Sequence, residues 1–385
     1  MLEGVNVALG VTGSIAAVKV VELAHELRRR GAAVRGVVTP AATGIVNPWA
    51  VEFATDRDVV TELTGAVEHI ELCGRAGWAD VLLVAPATAN TIGKMAAAVD
   101  DTPVTTCATT AIGAGLPVVV APAMHEPMYE HPGVLDAIER LEAWGIQFVA
   151  PRFEEGKAKI GTKEAITLAT ARAVDDRPLA GRHVVVTSGA THEPIDPLRT
   201  LSNRASGKTG RAVARALYVR GADVTLVHPG GDVPYANARH AETSAEMLEE
   251  AADAAADADA VVSTAAISDY MLDTASEKIR SGQTDLSLDL EPTPKVLDAV
   301  RDAHPDLTLV GFKAETVGDD EAMVAEAREL LERIGAAFVV ANDASVMGAD
   351  DTRALFVDAD SAAPFEGSKD ELGLRVADRL AAELE

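Results

Sequence analysis

The chain has 385 residues, room for two ordinary domains, and its residues are 48% hydrophobic but only 4% aromatic, so alanine, valine and leucine must build the cores. Asp and Glu number 60 against 34 Lys and Arg, a formal net charge of −26. That balance excludes nonspecific nucleic-acid binding, which needs cations to displace phosphate counterions; it argues against an anionic membrane surface and, with scarce lysine, points to a salty cytosol, a merely acidic surface being the alternative.

The N-terminus has no basic region leading into an apolar core and a cleavage site, and no apolar run reaches the roughly 18 residues of a membrane span. Cys73 and Cys107 are the only cysteines, too few for a disulfide framework or zinc site. The expectation is a cytoplasmic protein with no membrane or nucleic-acid partner. Val5–Gly10 reads as a short buried strand, followed by a loop, an amphipathic helix ended by Gly31, and a second strand, Val34–Val38. Gly13 and Ser14 fall at the helix N-terminus, where free N–H groups suit a phosphate; a simple tight turn fits them equally well. Thr39 ends the second strand, where α/β sheets place ligand loops. His69 precedes Trp78-Ala79-Asp80 and the buried run Val81–Ala85, which Pro86-Ala87-Thr88 breaks, leaving Thr88 and Asn90 over the sheet crevice. Pro117–Val120 is the next strand, leading into Ala121-Pro122-Ala123-Met124-His125 and Met128.

These pieces resemble the flavin-containing cysteine decarboxylases: Gly13–Ala17 (GSIAA), the histidine before WAD, the Ala85–Thr88 turn (APAT) and the PAM-x-x-x-M segment. The resemblance implies FMN contacts from Gly13, Ser14, Thr39, Thr88, Asn90 and Thr106, an active-site role for His69, and a substrate clamp at His125 and Met128. Two departures stand out. The clamp is commonly PAMN, and His125 replaces its asparagine; an imidazole can still hydrogen-bond a carboxylate. The family's flap cysteine, which protonates the enethiolate, has no counterpart in Glu154–Gly161. Lys159 falls nearest its place and is the expected donor if burial or a neighbouring cation lowers its pKa. Lys157 is an alternative, Cys73 the runner-up one helical turn from His69, and a solvated charged loop the bland reading. The implied chemistry is oxidation of the cysteine Cβ–S unit by FMN, loss of CO2, and return of the electrons.

Asp175–Gly181 is polar and broken by Pro178 and Gly181, after the alanine-rich, helix-like Glu164–Val174. The boundaries expected are a first domain over 1–175, a linker over 176–182 and a second domain over 183–385. The second domain restarts with the strand His183–Val186 and the stretch Thr187–Gly210, then an amphipathic helix stopped by Gly221 and the strand Asp223–Val227. About twenty residues intervene before the helix, far more than a plain dinucleotide loop, and they carry Thr191, Glu193, Asp196, Arg199, Asn203, Ser206 and Lys208. Such long loops are usually functional or disordered; a solvated surface loop is the alternative.

This stretch resembles the signature of phosphopantothenate–cysteine ligase. Carried over by position, Asn203 holds the acyl intermediate, and Ser206, Lys208 and Asn342 bind substrate. Val261–Met271 (VVSTAAISDYM) resembles the family's AAVADY motif, implying that Ala265 and Ala266 approach a flat base and that Asp269 faces the nucleotide or its metal. Lys278, in Glu277–Arg280, matches the lysine that neutralises acyl-phosphate charge. Thr293, Pro294 and Lys295 match a nucleotide-contacting segment, and Phe312 in Gly311–Thr316 covers base or sugar, unless it is a core residue. Asn342 and Asp343, in Val339–Ser345, match the family's NDVS motif. Counting back from Asn342, Leu330 and Ile334 stand where bacterial relatives have triphosphate-directed lysines; Arg328, Arg333 and Lys313 are the candidate replacements.

The fold class expected is α/β: two Rossmann-like three-layer domains, a flavodoxin-like flavoprotein domain and a ligase domain with a mostly parallel sheet. The implied function is bifunctional, in coenzyme A biosynthesis. CTP activates 4′-phosphopantothenate as an acyl cytidylate and cysteine displaces CMP. FMN-dependent decarboxylation then gives 4′-phosphopantetheine. Mg²⁺ would accompany CTP, and trimers of the first domain with dimers of the second would make a homo-oligomer. Two other readings stay open: an NAD(P) oxidoreductase, though neither half has a full G-x-G-x-x-G with its acidic residue, and a non-catalytic flavoprotein regulatory subunit.

Overall fold

The computed structural model describes residues 1–280, 286–315, 320–343 and 351–385. The chain forms two compact units, Met1–Asp175 and Asp176–Glu385.

The first unit is built on five parallel strands, ordered Ala33–Val38, Asn6–Val11, Val81–Ala87, Val118–Pro122 and Gln147–Phe148. Counted along the chain, that order is 2-1-3-4-5, the flavodoxin-like winding, whose ligand crevice opens between strands 1 and 3. The central strands are apolar on both faces because helices cover both: Val7, Leu9, Leu82 and Val84 are all fully buried. The helix Val20–Arg29 turns Val20, Leu23, Ala24 and Leu27 inward and ends in Arg28 and Arg29, which complement its negative end. The strand Val81–Ala87 does not stop at Ala85, as the sequence reading expected, but runs through Pro86. Proline removes a donor and keeps an acceptor; here the Pro86 carbonyl accepts from the Thr12 hydroxyl at 2.8 Å, and the Ala87 carbonyl accepts from Ala123 N at 2.9 Å.

The segment expected as a charged flap is a hairpin. Arg152–Glu154 pairs with Lys157–Lys159, which pairs in turn with Met124–His125. Glu155 and Gly156 turn the chain with φ of 54° and 66°, the double positive φ of a type I′ turn.

The second unit carries eight strands in the order Asn237–His240, Asp223–His228, His183–Thr187, Ala260–Ser263, Thr308–Glu315, Phe338–Asp343, Asp351–Val357 and Ala362–Ser368. The first six are parallel; Asp351–Val357 pairs antiparallel with Phe338–Asp343, and Ala362–Ser368 pairs antiparallel with Asp351–Val357. Along the chain this is 3-2-1-4-5-6, the doubly wound dinucleotide-type order, extended at one edge by a hairpin; its switch point lies between His183–Thr187 and Ala260–Ser263. The stretch Thr187–Gly210 is not structureless. It folds into an antiparallel hairpin, His192–Asp196 with Arg199–Ser202, before the helix Lys208–Val219. That helix packs on Lys369–Glu383, where a Cβ on Gly373 would lie 2.6 Å from the Ala212 carbonyl oxygen.

Among the described residues no helix is long and apolar enough to cross a membrane. Two motif ends, Thr316 and residues 344–345, lie outside the described residues.

Candidate active sites

At the switch point of the first unit lies a cleft of about 540 Å³. Gly13, Ser14 and Thr88 line one side of it, His125, Met128, Lys157 and Lys159 another, with Ile15, Val18, Met124 and Ile160 as apolar wall. Ser14 caps a short 3₁₀ helix, Ile15–Lys19, its hydroxyl accepting from Ala16 N at 3.4 Å. Thr88 caps Ala89–Ala96, and its N–H donates to the Thr12 hydroxyl at 3.1 Å. Gly13 is required for packing as well: a Cβ there would lie 2.6 Å from the Ala41 Cβ. Hydroxyls and N–H groups at helix starts beside an apolar wall are the donor set a flavin phosphate and ring need.

The other expected flavin residues do not line this cleft. Thr39 is buried and caps Pro40–Thr43 through Ala42 N at 3.3 Å. Asn90 is exposed in the first turn after Thr88. The Thr106 hydroxyl donates to the Asp100 and Thr102 carbonyls, both at 2.9 Å. His69 sits half-buried on the helix Glu68–Cys73, its Nδ1 buried without a hydrogen-bond partner.

Both expected proton donors need correction. Lys159 Nζ hydrogen-bonds Glu155 at 2.9 Å and Glu154 at 3.0 Å, and these carboxylates, Glu155 first, raise its pKa. This is the opposite of what an acid needs. Cys73 is fully buried, and hydrogen bonding with the Cys107 thiol, then burial, push its pKa far up. It is a core thiol.

In the second unit the residues gather at the second switch point. The Thr187 and Ser263 hydroxyls meet at 3.2 Å, Ala266 N donates to the Gly189 carbonyl at 2.8 Å, and Asn203 Nδ2 donates to the Ala266 carbonyl at 2.6 Å. A Cβ on Gly210 would lie 2.4 Å from the Ser188 Oγ and 2.3 Å from Thr264 Oγ1, so glycine brings the helix start onto the strand ends. Ser206 and Lys208 flank the N-cap Gly207 of that helix, with Arg211 Nη2 donating to the Ser206 carbonyl at 2.9 Å. Beyond Ala265 and Ala266, Thr293 N donates to the Asp269 carbonyl at 3.0 Å, and Lys295 Nζ pairs with Asp269 Oδ1 at 2.9 Å.

A cleft of about 360 Å³ adjoins this, lined among others by Ser263, Pro294, Lys295, Phe312, Lys313 and Leu330. Phe312 therefore faces the cleft, not the core. The helix Asp320–Ile334 turns Glu326, Glu329, Leu330 and Arg333 toward it, an i, i+3, i+4, i+7 stripe. Ile334 is off that stripe and buried in the core, so the place assigned to one lost lysine does not face the cleft. Of the candidate replacements, Lys313 and Arg333 line the cleft and Arg328 does not; Lys313 pairs with Glu326 at 3.5 Å, and Arg333 with Asp298. Asn342 lies near the end of its strand, in register with Ala314 and Ala354, and is not among the residues that line this cleft. Among the described residues no group of three or more His, Cys, Asp or Glu side chains could hold a metal ion. With one Asp269 oxygen bonded to Lys295, the expected metal ligand does not form a protein-held site.

Sequence reasoning noted Asp196 only as polar, yet it organises the segment bearing Lys278. Its carboxylate accepts from Leu198 N and Arg199 N, both at 2.9 Å, and from Ile279 N at 3.0 Å. Arg199 also donates to the Ile279 carbonyl, and Ala275 N donates to the Ile195 carbonyl at 3.0 Å. Burial pushes the Asp196 pKa up; the three backbone donors and the Arg199 charge outweigh it and hold the pKa below the usual range. The signal in the sequence was an acid opening a Pro-Leu turn.

Residues 1–174 match a family model described as Flavoprotein, and residues 179–384 one described as DNA/pantothenate metabolism flavoprotein C-terminal domain. The coenzyme A biosynthesis bifunctional protein CoaBC of Thermococcus kodakarensis is 46% identical over 98% of this chain and 95% of its own. The chain belongs to the CoaBC family of bifunctional coenzyme A biosynthesis proteins. The Methanocaldococcus jannaschii member is 34% identical over 99% of this chain and 94% of its own. Among solved structures, the FMN-dependent cysteine decarboxylase SpaF is 31% identical over 45% of this chain and 99% of its own, with TM-score 0.40. The C-terminal domain of a CoaBC protein is 26% identical over 54% of this chain and 98% of its own, with TM-score 0.46.

Proposed function

We propose that the second unit joins cysteine to 4′-phosphopantothenate with CTP and that the first decarboxylates the product with FMN, giving 4′-phosphopantetheine. The chain is thus a ligase and a decarboxylase of coenzyme A biosynthesis. The observation that carries the reading is that each unit has its own cleft at the strand ends, and each gathers residues of its own motif set in or beside it: Gly13, Ser14, Thr88, His125 and Met128 in one, Asn203, Ala266, Asp269, Lys295 and Phe312 at the other.

In the ligase the pantothenate carboxylate attacks the α-phosphate of CTP, giving an acyl cytidylate and pyrophosphate; the cysteine amine then displaces CMP. The carboxylate is inert to amines until its oxygen becomes a good leaving group, so the cations have most to do while phosphate charge develops. Lys278, held by the Asp196 clamp, and Lys295 supply them in this reading, with Lys313 and Arg333 toward the triphosphate. Asn203 has one amide N–H beyond the one bonded to Ala266, and it meets the acyl oxygen. Mg²⁺ enters with the phosphates of the nucleotide, which carry most of such an ion's ligands.

In the decarboxylase FMN, when bound, supplies the two-electron oxidation of the Cβ–S unit and the matching reduction. Ser14, Thr88 and the N–H groups behind them hold its phosphate, and the apolar wall receives its ring. His125 and Met128 fix the substrate, the imidazole on the carboxylate that leaves as CO2. Thr39, Asn90, Thr106 and His69 keep their flavin-side roles only in an assembled oligomer, in trimers of the first unit and dimers of the second. Exposed apolar side chains support such assembly: Ile15, Trp49 and Phe53 on one unit, Leu198 and Tyr270 on the other.

A nucleotide panel tests the reading. FMN-loaded protein given phosphopantothenate and cysteine should form phosphopantetheine with CTP and far less with ATP, GTP or UTP. Absence of product with every nucleotide would overturn it.

A further inference from the structure

Decarboxylation replaces a C–CO2⁻ bond by a C–H bond, so one proton must reach the α-carbon inside the first cleft. The side chains there with an exchangeable hydrogen are Ser14, Lys19, Thr88, His125, Lys157 and Lys159. Ser14 and Thr88 are hydroxyls, weak acids, and both cap helices. Lysines as a class hold their proton some four decades too tightly for an acid at neutral pH. Lys159 is bonded to two carboxylates besides, and Lys157 is exposed on the hairpin. That leaves the imidazole, the side chain whose ordinary titration lies nearest neutrality.

The local structure suits it. His125 lies on the short strand Met124–His125, in register with Lys157, while Met124 pairs with Ala158. The next residue, Glu126, donates its N–H to the Gly156 carbonyl at 3.1 Å. The backbone on both sides is therefore fixed by the hairpin. His125 is the residue before the helix Glu126–Tyr129, yet its side chain makes no capping hydrogen bond. The ring is exposed to the cleft and not committed to the helix end. The charged groups that line the cleft with it are Lys19, Lys157 from the paired strand and Lys159, the last bonded to Glu154 and Glu155; Glu126 is the next residue on its own segment.

We propose that His125 is the general acid of the decarboxylation, donating to the α-carbon after CO2 has left. The inference rests on the decarboxylase reading above. An imidazolium hydrogen-bonded to the substrate carboxylate already faces the carbon that loses it. After oxidation and CO2 loss the substrate is an enethiolate. The imidazolium N–H bond breaks as the α-C–H bond forms; the C=C π pair becomes that bond, and a sulfur lone pair closes C=S. His125 is left neutral. The thioaldehyde carbon then takes the hydride withdrawn in the oxidation, giving the thiolate.

The test uses the full chain loaded with FMN and given phosphopantothenoylcysteine, comparing wild type, His125→Asn, His125→Gln and Lys159→Ala. Three signals are read: CO2, the visible flavin band, and product mass. Both His125 variants should release CO2 in one turnover, stay bleached, and yield an enethiol two hydrogens lighter than phosphopantetheine. Steady turnover should fall by about 10²-fold or more, the usual contribution of a positioned acid. Lys159→Ala should make the full product. Phosphopantetheine formed at the wild-type rate by His125→Asn would overturn the assignment. So would a variant that neither releases CO2 nor bleaches while wild type does both, since His125 would then act before CO2 loss. Failure of wild type to bleach or release CO2 would instead sink the decarboxylase reading.

Discussion

The two clefts sit at the same kind of place and are furnished differently. Each opens at the carboxyl ends of a doubly wound sheet, at the switch point between strands 1 and 3 in one unit and next to the switch point, over strands 4 and 5, in the other. The first is walled by Ile15, Val18, Met124 and Ile160, a surface for a flat apolar body with a few polar anchors. The second holds Lys295, Lys313 and Arg333, each paired with a carboxylate: Asp269, Glu326 and Asp298. A triphosphate entering there exchanges partners with those acids, and its affinity is the difference between two sets of ion pairs. In the proposed reading, two doubly wound sheets thus serve a cofactor that stays and a charged substrate that comes and goes.

The comparison can be broken at its strongest point by Gly210→Ala. The new Cβ would stand within 2.5 Å of atoms of Ser188 and Thr264, and overpacking of this kind costs about 1–3 kcal/mol. Ligation should be lost and a thermal transition lowered, while the flavin band persists; loss of the flavin as well would show that the units do not stand apart. Next in size, Lys313→Ala and Arg333→Ala should each raise the KM for CTP about tenfold, the worth of one charge-assisted contact, with the decarboxylation rate unchanged. An unaltered KM in both would remove them from the triphosphate.

Asp196→Asn should lower ligation several-fold by loosening the segment of Lys278. Its pH dependence has a definite sign. The Asp196 pKa is depressed in the fold, so its stabilisation is present above the ordinary carboxylate pKa and is lost as pH falls through the folded value. The gap in melting temperature between wild type and Asp196→Asn should be constant near neutrality and close in acid. A gap that widens in acid would refute the clamp. The smallest effect is expected from Lys159→Ala, a change in decarboxylation within about twofold, since an exposed ion pair contributes little.

Much of this arrangement was legible in the sequence. The apolar runs Val81–Val84 and Val184–Val186 announced buried strands, and GVTGS and SGKTG announced the loops at the strand ends. The hairpin His192–Ser202 was not legible, because Pro194 and Pro197 interrupt its alternation and its buried acids, Glu193 and Asp196, look like solvent-facing ones. Glu193 is buried because it accepts from Ser244 N at 2.9 Å, 51 positions away. Of the two positions counted back from Asn342, Leu330 does meet the cleft and Ile334 does not: positions counted along a chain do not say which side of a helix meets a cleft. Lys159 was visible as a cation, but its proton affinity depends on a turn that folds Glu154 and Glu155 back onto it.

The central claim is that two separate sites act in sequence, and Lys278→Gln tests it most directly. Given phosphopantothenate, cysteine and CTP, the variant should form no phosphopantetheine. Given phosphopantothenoylcysteine, it should release CO2 and make phosphopantetheine at the wild-type rate. A folded, yellow variant that fails with both substrates would contradict the account.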